Sequence, residues 1–137
     1  MSRIIAIDFG MKRIGLATTD PLQIIATPLT TVLNKDCLDF LSNYCSKEQV
    51  ELFVVGQPFR ANGEPSDVEK DILKFIEELR KLFPRIPVAR QDEQFTSQKA
   101  KMSLIESGVK KMKRREKGLL DSTAATLILQ DYLAERI

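Results

Sequence analysis

Two short, wholly apolar runs, Ile4-Ile5-Ala6-Ile7 and Leu52-Phe53-Val54-Val55, have the length and continuity of strands buried on both faces. The first leads directly into Asp8 and Gly10, and strand-type residues resume over 13–19. That spacing predicts a hairpin with Met11 and Lys12 at its tip. Asp20-Pro21 marks a turn, since Asp-Pro initiates turns and proline cannot serve a central ladder. The β-branched stretch 24–33 predicts a third strand, broken or at a sheet edge because of Pro28. Three strands joined by short turns make an antiparallel meander.

The period then changes. Cys37, Leu38, Leu41, Tyr44 and Cys45 recur at helical spacing over residues 35–47, with Asn34 placed as N-cap. After the second apolar run Gly56 ends the strand, and residues 57–65 (QPFRANGEP) have the composition of a loop. Ser66 with Glu69 three residues on is a capping-box pattern. Val68, Ile72, Phe75, Ile76, Leu79, Leu82 and Phe83 then share a helical face, which Pro84 ends. Val88-Ala89 centres another strand leading into Asp92-Glu93, residues 97–107 predict a helix closed by Gly108, and a last helix runs from about 120 to 136. The order β-β-β-α-β-α-β-α-α predicts an α/β fold: a five-stranded mixed sheet with helices on both faces, one domain over 1–137. The ribonuclease H-like fold uses that pattern.

Composition narrows the chemistry. With 43% hydrophobic and 29% charged residues the chain is expected to be globular and soluble, not disordered. No apolar run approaches the roughly 20 residues of a membrane span, and the N-terminal run is too short for a signal peptide, so a cytoplasmic location is expected. The chain has no histidine, which excludes Ser-His and Cys-His catalysis and any metal site built on imidazole. Cys37 and Cys45, eight apart on one helical face, read as buried small hydrophobes and not as a CxxC pair. The net charge of +2 conceals one basic run, Lys110, Lys111, Lys113, Arg114, Arg115 and Lys117, interrupted by Met112 and Glu116; the remainder holds 15 basic against 18 acidic residues. Such a run suits a polyanion, a solvated loop being the alternative.

Three acidic positions stand out by placement. Asp8 ends the first strand, Asp92-Glu93 ends the last, and Asp121 begins the final helix, just past the basic run. In a mixed sheet, groups at the carboxyl ends of adjacent parallel strands share one crevice. Clustered carboxylates without histidine are hard-oxygen ligands suited to Mg²⁺ or Mn²⁺, and two such ions can drive phosphodiester cleavage. The metal would also relieve the mutual repulsion of the acids. Each has a plainer alternative: Asp8 as a turn cap, Asp121 as a helix cap. Asp92 and Glu93 point to opposite faces, so only one can enter the crevice, and the pattern leaves open which. Asp20 is expected to serve its turn.

The stretches IDFGMKRIGLATTDP (7–21), VGQPFRANGEPS (55–66), DEQFTS (92–97) and GLLDSTAATLILQDYL (118–133) together resemble the YqgF family, also called RuvX, of Holliday-junction-resolvase-like nucleases. The resemblance spans nearly the whole chain. It implies a ribonuclease H-like fold, metal-dependent phosphodiester cleavage and maturation of the 5′ end of the small-subunit ribosomal RNA precursor. By motif, the family's acids fall on Asp8, Glu93 and Asp121, which selects Glu93 over Asp92, and its basic hairpin signature falls on Lys12 and Arg13. Where the family has arginine after the glutamate this chain has Gln94, with Lys99 a conceivable substitute.

Three functions compete at this point. A nuclease would hold its metals on Asp8, Glu93 and Asp121 and bind phosphates on the basic run, which gives affinity without sequence choice. Aromatic residues do not interleave with that run, so structured RNA or junction DNA would be selected by shape. Arg60 and Asn62, in the loop after the second apolar run, are further candidate substrate contacts. A phosphotransferase of the actin and sugar-kinase type shares the Asp-x-Gly hairpin but needs two such domains, and no Walker sequence is present. The third is a ribonuclease H-like module that binds nucleic acid without cleaving it. The sequence leaves the oligomeric state open.

Overall fold

The two apolar runs lie side by side at the centre of one sheet. The computed structural model describes residues 2–60, 62–93 and 117–136, the side chains of 117–122 excepted. Its strands are β1 (Arg3–Asp8), β2 (Arg13–Thr19), β3 (Ala26–Leu33), β4 (Val50–Gln57) and β5 (Val88–Asp92), in the spatial order β3-β2-β1-β4-β5. β1 pairs antiparallel with β2, and β2 with β3, while β4 runs parallel to both β1 and β5. The sheet is therefore mixed and five-stranded, as the order of elements predicts.

Helices cover both faces. On one side α1 (Cys37–Lys47) and α2 (Glu69–Leu82) contribute Cys37, Leu41, Ile72, Phe75, Ile76 and Leu79 to a core with Ile5, Ile7, Phe53 and Val55. On the other, α3 (Lys117–Glu135) contributes Ala125, Ile128 and Leu129 to a smaller core with Ile4, Ala6, Ala17 and Val54. Successive residues of β1 and β4 thus serve opposite layers, which is why both strands are continuously apolar and do not alternate.

The C-terminal end of α3 lies beside the start of β1: Arg136 donates to Gln23 Oε1 at 2.8 Å, and Gln23 Nε2 donates to the Ser2 carbonyl at 3.0 Å. At about 1.5 Å per residue the helix reaches back some 22 Å from Arg136 to Asp121, enough to bring its opening turns to the end of the sheet where β1 finishes. Among the described residues no helix is long and apolar enough to cross a membrane.

Several local expectations hold. β3 is an edge strand, and Pro28 sits at a break: Leu16 pairs with Thr30 and Ala17 with Pro28, leaving Leu29 as the extra, bulged residue. Asp20 serves its turn, its carboxylate accepting from the N–H groups of Ile25 (2.7 Å), Ile24 (2.8 Å) and Leu22 (3.1 Å). These bonds, the Ile25 one foremost, hold its carboxyl below the ordinary value. Both thiols are free; Cys37 is buried in the larger core, where burial pushes its thiol up to about 12, and Cys45 packs half-buried against it.

Others are corrected. β4 does not stop at Gly56 but continues to Gln57, because Gly56 still pairs with Gln91. Asn34 is not the N-cap of α1; it opens a 3-10 turn (Asn34–Asp36), and its amide Nδ2 donates to the Gly10 carbonyl at 2.7 Å. The capping box does not form: Ser66 Oγ accepts only a long 3.4 Å bond from Val68 N–H, and the Glu69 carboxylate goes to Arg90. A bidentate, charge-assisted pair outweighs the single neutral-donor bond that a capping box offers that carboxylate. Asp121 stands one turn inside α3, whose first turn carries no acid. The helix predicted at 97–107 lies outside the described residues.

Candidate functional site

The parallel strands β1, β4 and β5 finish at one end of the sheet, and the pleat decides which of their side chains share a face. In β1, Ile4 and Ala6 face α3, so Asp8, two residues on, faces the same side. In β4 the same face carries Val54 and then Gly56. In β5 it carries Ala89 and Gln91, whose amide donates to Glu135 of α3 at 2.9 Å, and next in that series comes Glu93. Asp92 takes the other face and is exposed. Of the adjacent acidic pair, Glu93 is the one on the face of Asp8.

Gly56 separates them. Ile7 pairs with Val55, so Asp8 comes level with Gly56, and Gly56 pairs with Gln91 on its other side. A Cβ at Gly56 would overlap Glu93 Oε2 and crowd Ile128 Cδ1 at 2.8 Å. The Glu93 carboxylate therefore lies over β4, the strand between β5 and β1, in space that only a glycine leaves open. Burial pushes the Glu93 carboxyl up to about 7; the Arg90 charge opposes the shift, while Asp92 and Glu69 add to it.

Arg90 holds the same point from beneath. Its Nη2 donates to the Gly56 carbonyl at 3.0 Å and its Nε to the Val55 carbonyl at 3.2 Å. Two further bonds, at 2.8 and 2.9 Å, engage both carboxylate oxygens of Glu69 at the start of α2. The pair ties the head of α2 to the end of β4 and fixes the backbone on which Glu93 rests.

Asp121 is placed by its helix. It stands four and seven residues before Ala125 and Ile128, which face the sheet, so it occupies the same stripe nearer the open end. Its side chain lies outside the described residues. Among the described residues no group of three metal-ligating side chains is assembled. The donor types that are placed nonetheless fit a hard divalent cation: Glu93 is a half-buried carboxylate raised by lack of solvation, on the face of a second carboxylate, in a chain without histidine. A cation there would favour the ionised carboxylate that desolvation disfavours.

The candidate substrate contacts divide. Lys12 is exposed at the hairpin tip and Arg13 is half-buried at the start of β2, both at the sheet end that carries Asp8. Arg60 pairs within its own loop to Asp67, and Asn62 Oδ1 accepts from Glu64 N–H at 3.0 Å, so both shape the segment after β4. Lys110, Lys111, Lys113, Arg114 and Arg115, the side chain of Lys117, and Gln94 and Lys99 lie outside the described residues. Sequence reasoning missed Gly56, Arg90 and Glu69 as parts of the site. The available signal was Arg90 inside a short strand, a charge on a half-buried surface, but nothing in the pattern named its partner.

Comparison with known proteins agrees with this geometry. The RuvX family, described as Holliday junction resolvase, matches residues 2–135. A "Putative pre-16S rRNA nuclease" of Porphyromonas gingivalis is 51% identical over 133 residues, covering 97% of this chain and 96% of its own. A protein of the same description from Flavobacterium psychrophilum is 46% identical over 137 residues, the whole of both chains. The solved structure of T. thermophilus RuvC in complex with a Holliday junction substrate matches with a TM-score of 0.61 and 15% identity, over 99% of this chain and 96% of that one. At that identity the likeness is one of fold, and it bears out the ribonuclease H-like architecture.

Proposed function

The chain belongs to the RuvX family, and from that premise we propose that it is a phosphodiester-cleaving nuclease that matures the 5′ end of the small-subunit ribosomal RNA precursor. The observation that carries the reading is the half-buried Glu93 carboxylate laid over Gly56 on the face of Asp8. Asp8, Glu93 and Asp121 would hold the metal, Mg²⁺ or Mn²⁺. When bound, such ions activate water and stabilise the leaving oxygen. The chain's own contribution is placement: β1 and β5 deliver two carboxylates to one crevice, Gly56 leaves room for the second, and Arg90 fixes the floor.

Lys12, Arg13, Arg60, Asn62 and the basic run 110–117 would meet the substrate's phosphates. Arg60 would exchange Asp67, an exposed partner, for phosphate at little cost, since exposed ion pairs are weak. A second reading, cleavage of four-way junction DNA, is favoured by the family's description and by the fold shared with RuvC.

The test offers the enzyme end-labelled ribosomal RNA precursor and four-way junction DNA in parallel, with Mn²⁺, Mg²⁺ or EDTA. Metal-dependent cleavage at the 5′ end of the precursor supports the proposal, and preference for the junction supports the second reading. Salt-sensitive binding without cleavage of either would make the protein a binding module.

A further inference from the structure

Past Asp8 the same end of the sheet changes sign. Leu33, the last residue of β3, pairs with Arg13, the first of β2, so the hairpin tip and the start of the 3-10 turn flank one hollow there. The hollow has a volume of about 340 Å³ and is lined by Met11, Lys12, Leu33, Asn34 and Lys35. Two lysines line it and no carboxylate does. Among the described residues neither ammonium is paired with an acid. Its wall is apolar, with Met11 64% and Leu33 41% exposed.

The hollow is built. Asn34 clamps the hairpin tip twice, its side chain donating to the Gly10 carbonyl at 2.7 Å and its N–H to the Lys12 carbonyl at 2.9 Å. A Cβ on Gly10 would overlap the Arg13 carbonyl oxygen, so the turn closes only with glycine. Met11 is held out to solvent on that pinned turn. On its other side lies a second hollow of about 200 Å³ lined by the carboxylates Asp71 and Glu78 and by Lys74. Met11 thus divides a recess lined by two lysines and no acid from one of mixed charge in which acids outnumber the single lysine, and a phosphate chain is favoured in the first over the second.

We propose that the recess of Met11, Lys12, Leu33, Asn34 and Lys35 is a subsite for a nucleotide flanking the cleavage position, with its phosphate on Lys35 and Lys12 and its base against Met11 and Leu33. The inference rests on the nuclease reading and gives the substrate strand a direction, from the acids across the hairpin toward β3. β1 and β3 are two strand spacings apart, about 10 Å, so one strand reaches both. Lysine suits phosphate as a flexible point charge, and a thioether side chain packs well against an aromatic base.

The experiment titrates a fluorescein-labelled RNA stem with a single-stranded extension, in EDTA, between about 50 and 200 mM salt. Lys35→Ala is expected to lower the slope of log affinity against log salt by about 0.7–0.9, the signature of one lost phosphate contact. Met11→Ala is expected to leave the slope intact and weaken binding by about two- to tenfold, an effect that vanishes on a strand made abasic at the flanking position. A wild-type slope in Lys35→Ala, or an equal loss on the abasic strand in Met11→Ala, would overturn the subsite. Failure of the nuclease reading looks different: wild type binds with the full slope, both variants behave as expected, and no metal produces cleavage. Absence of salt-sensitive binding by wild type would overturn both.

Discussion

The Glu93 carboxylate rests where a side chain on Gly56 would have to stand. That overlap makes a backbone position of β4 part of the site, although Gly56 has no group of its own to offer. Gly56→Ala forces the movable partner aside, and the end of Glu93 is the movable partner. Overpacking of this kind costs about 1–3 kcal/mol, whereas displacing a catalytic carboxylate by an ångström costs on the order of 10²-fold in rate. The variant should therefore fold, with a modestly lowered Tm, and lose cleavage far beyond what its stability explains. Near-normal cleavage would show that Glu93 acts from elsewhere.

Glu93 also sets a pH dependence in the metal-free protein. Its carboxyl is raised from 4.5 to about 7, chiefly by burial. Between those values the folded chain keeps a proton that the unfolded chain has released. This contribution to stability is therefore complete below the unfolded value, falls as pH rises through the window, and is lost above the folded value. The span corresponds to about 3 kcal/mol. Urea unfolding in EDTA should show the decline for wild type and its absence in Glu93→Gln. Identical pH profiles for the two would refute the assignment.

Arg90 and Glu69 are joined by two bonds, and Arg90 reaches the Val55 and Gly56 carbonyls as well. Both partners are largely withdrawn from solvent, with side chains 21% and 13% exposed. Removing one leaves the other poorly solvated, so Arg90→Ala should destabilise by about 2–3 kcal/mol, less than a fully buried pair. A double-mutant cycle with Glu69→Gln should return a coupling above about 1 kcal/mol. Additive losses would mean that the pair is incidental.

The two thiols should differ in reactivity. Burial raises both, and Cys37 is the more deeply enclosed, at about 12. Since the thiolate is the reactive form, alkylation of the native protein at mildly alkaline pH should modify Cys45 first and Cys37 only on unfolding. Rapid modification of Cys37 in the native state would contradict the packing.

What could be read from the chain follows from the range of the interactions. The two central strands declared themselves because burial on both faces demands continuous apolar residues, and Pro28 marked the edge because a proline cannot donate to a ladder. The positions of Asp8 and Glu93 at strand ends were legible, since parallel strands finish at one end of the sheet. Which of Asp92 and Glu93 takes the face of Asp8 was not decided by the pattern; the phase of the pleat, fixed by Ala89 and Gln91 against α3, gives Glu93. Asn34 and Glu69 carried good capping signals and were drawn elsewhere, to Gly10 and Arg90, by partners 24 and 21 residues distant. Local patterns do not contain such partners. Gly56 was read as the end of a strand because its role is steric, and only the neighbour's position reveals it.

The central claim is that Asp8 and Glu93 act together on a metal. Its most direct test is cleavage of end-labelled ribosomal RNA precursor and four-way junction DNA by wild type and Asp8→Asn, in Mn²⁺ and in EDTA, with binding measured alongside. The account predicts that wild type cleaves in Mn²⁺ and not in EDTA, and that Asp8→Asn binds normally and does not cleave. Cleavage that survives either EDTA or the substitution would contradict it.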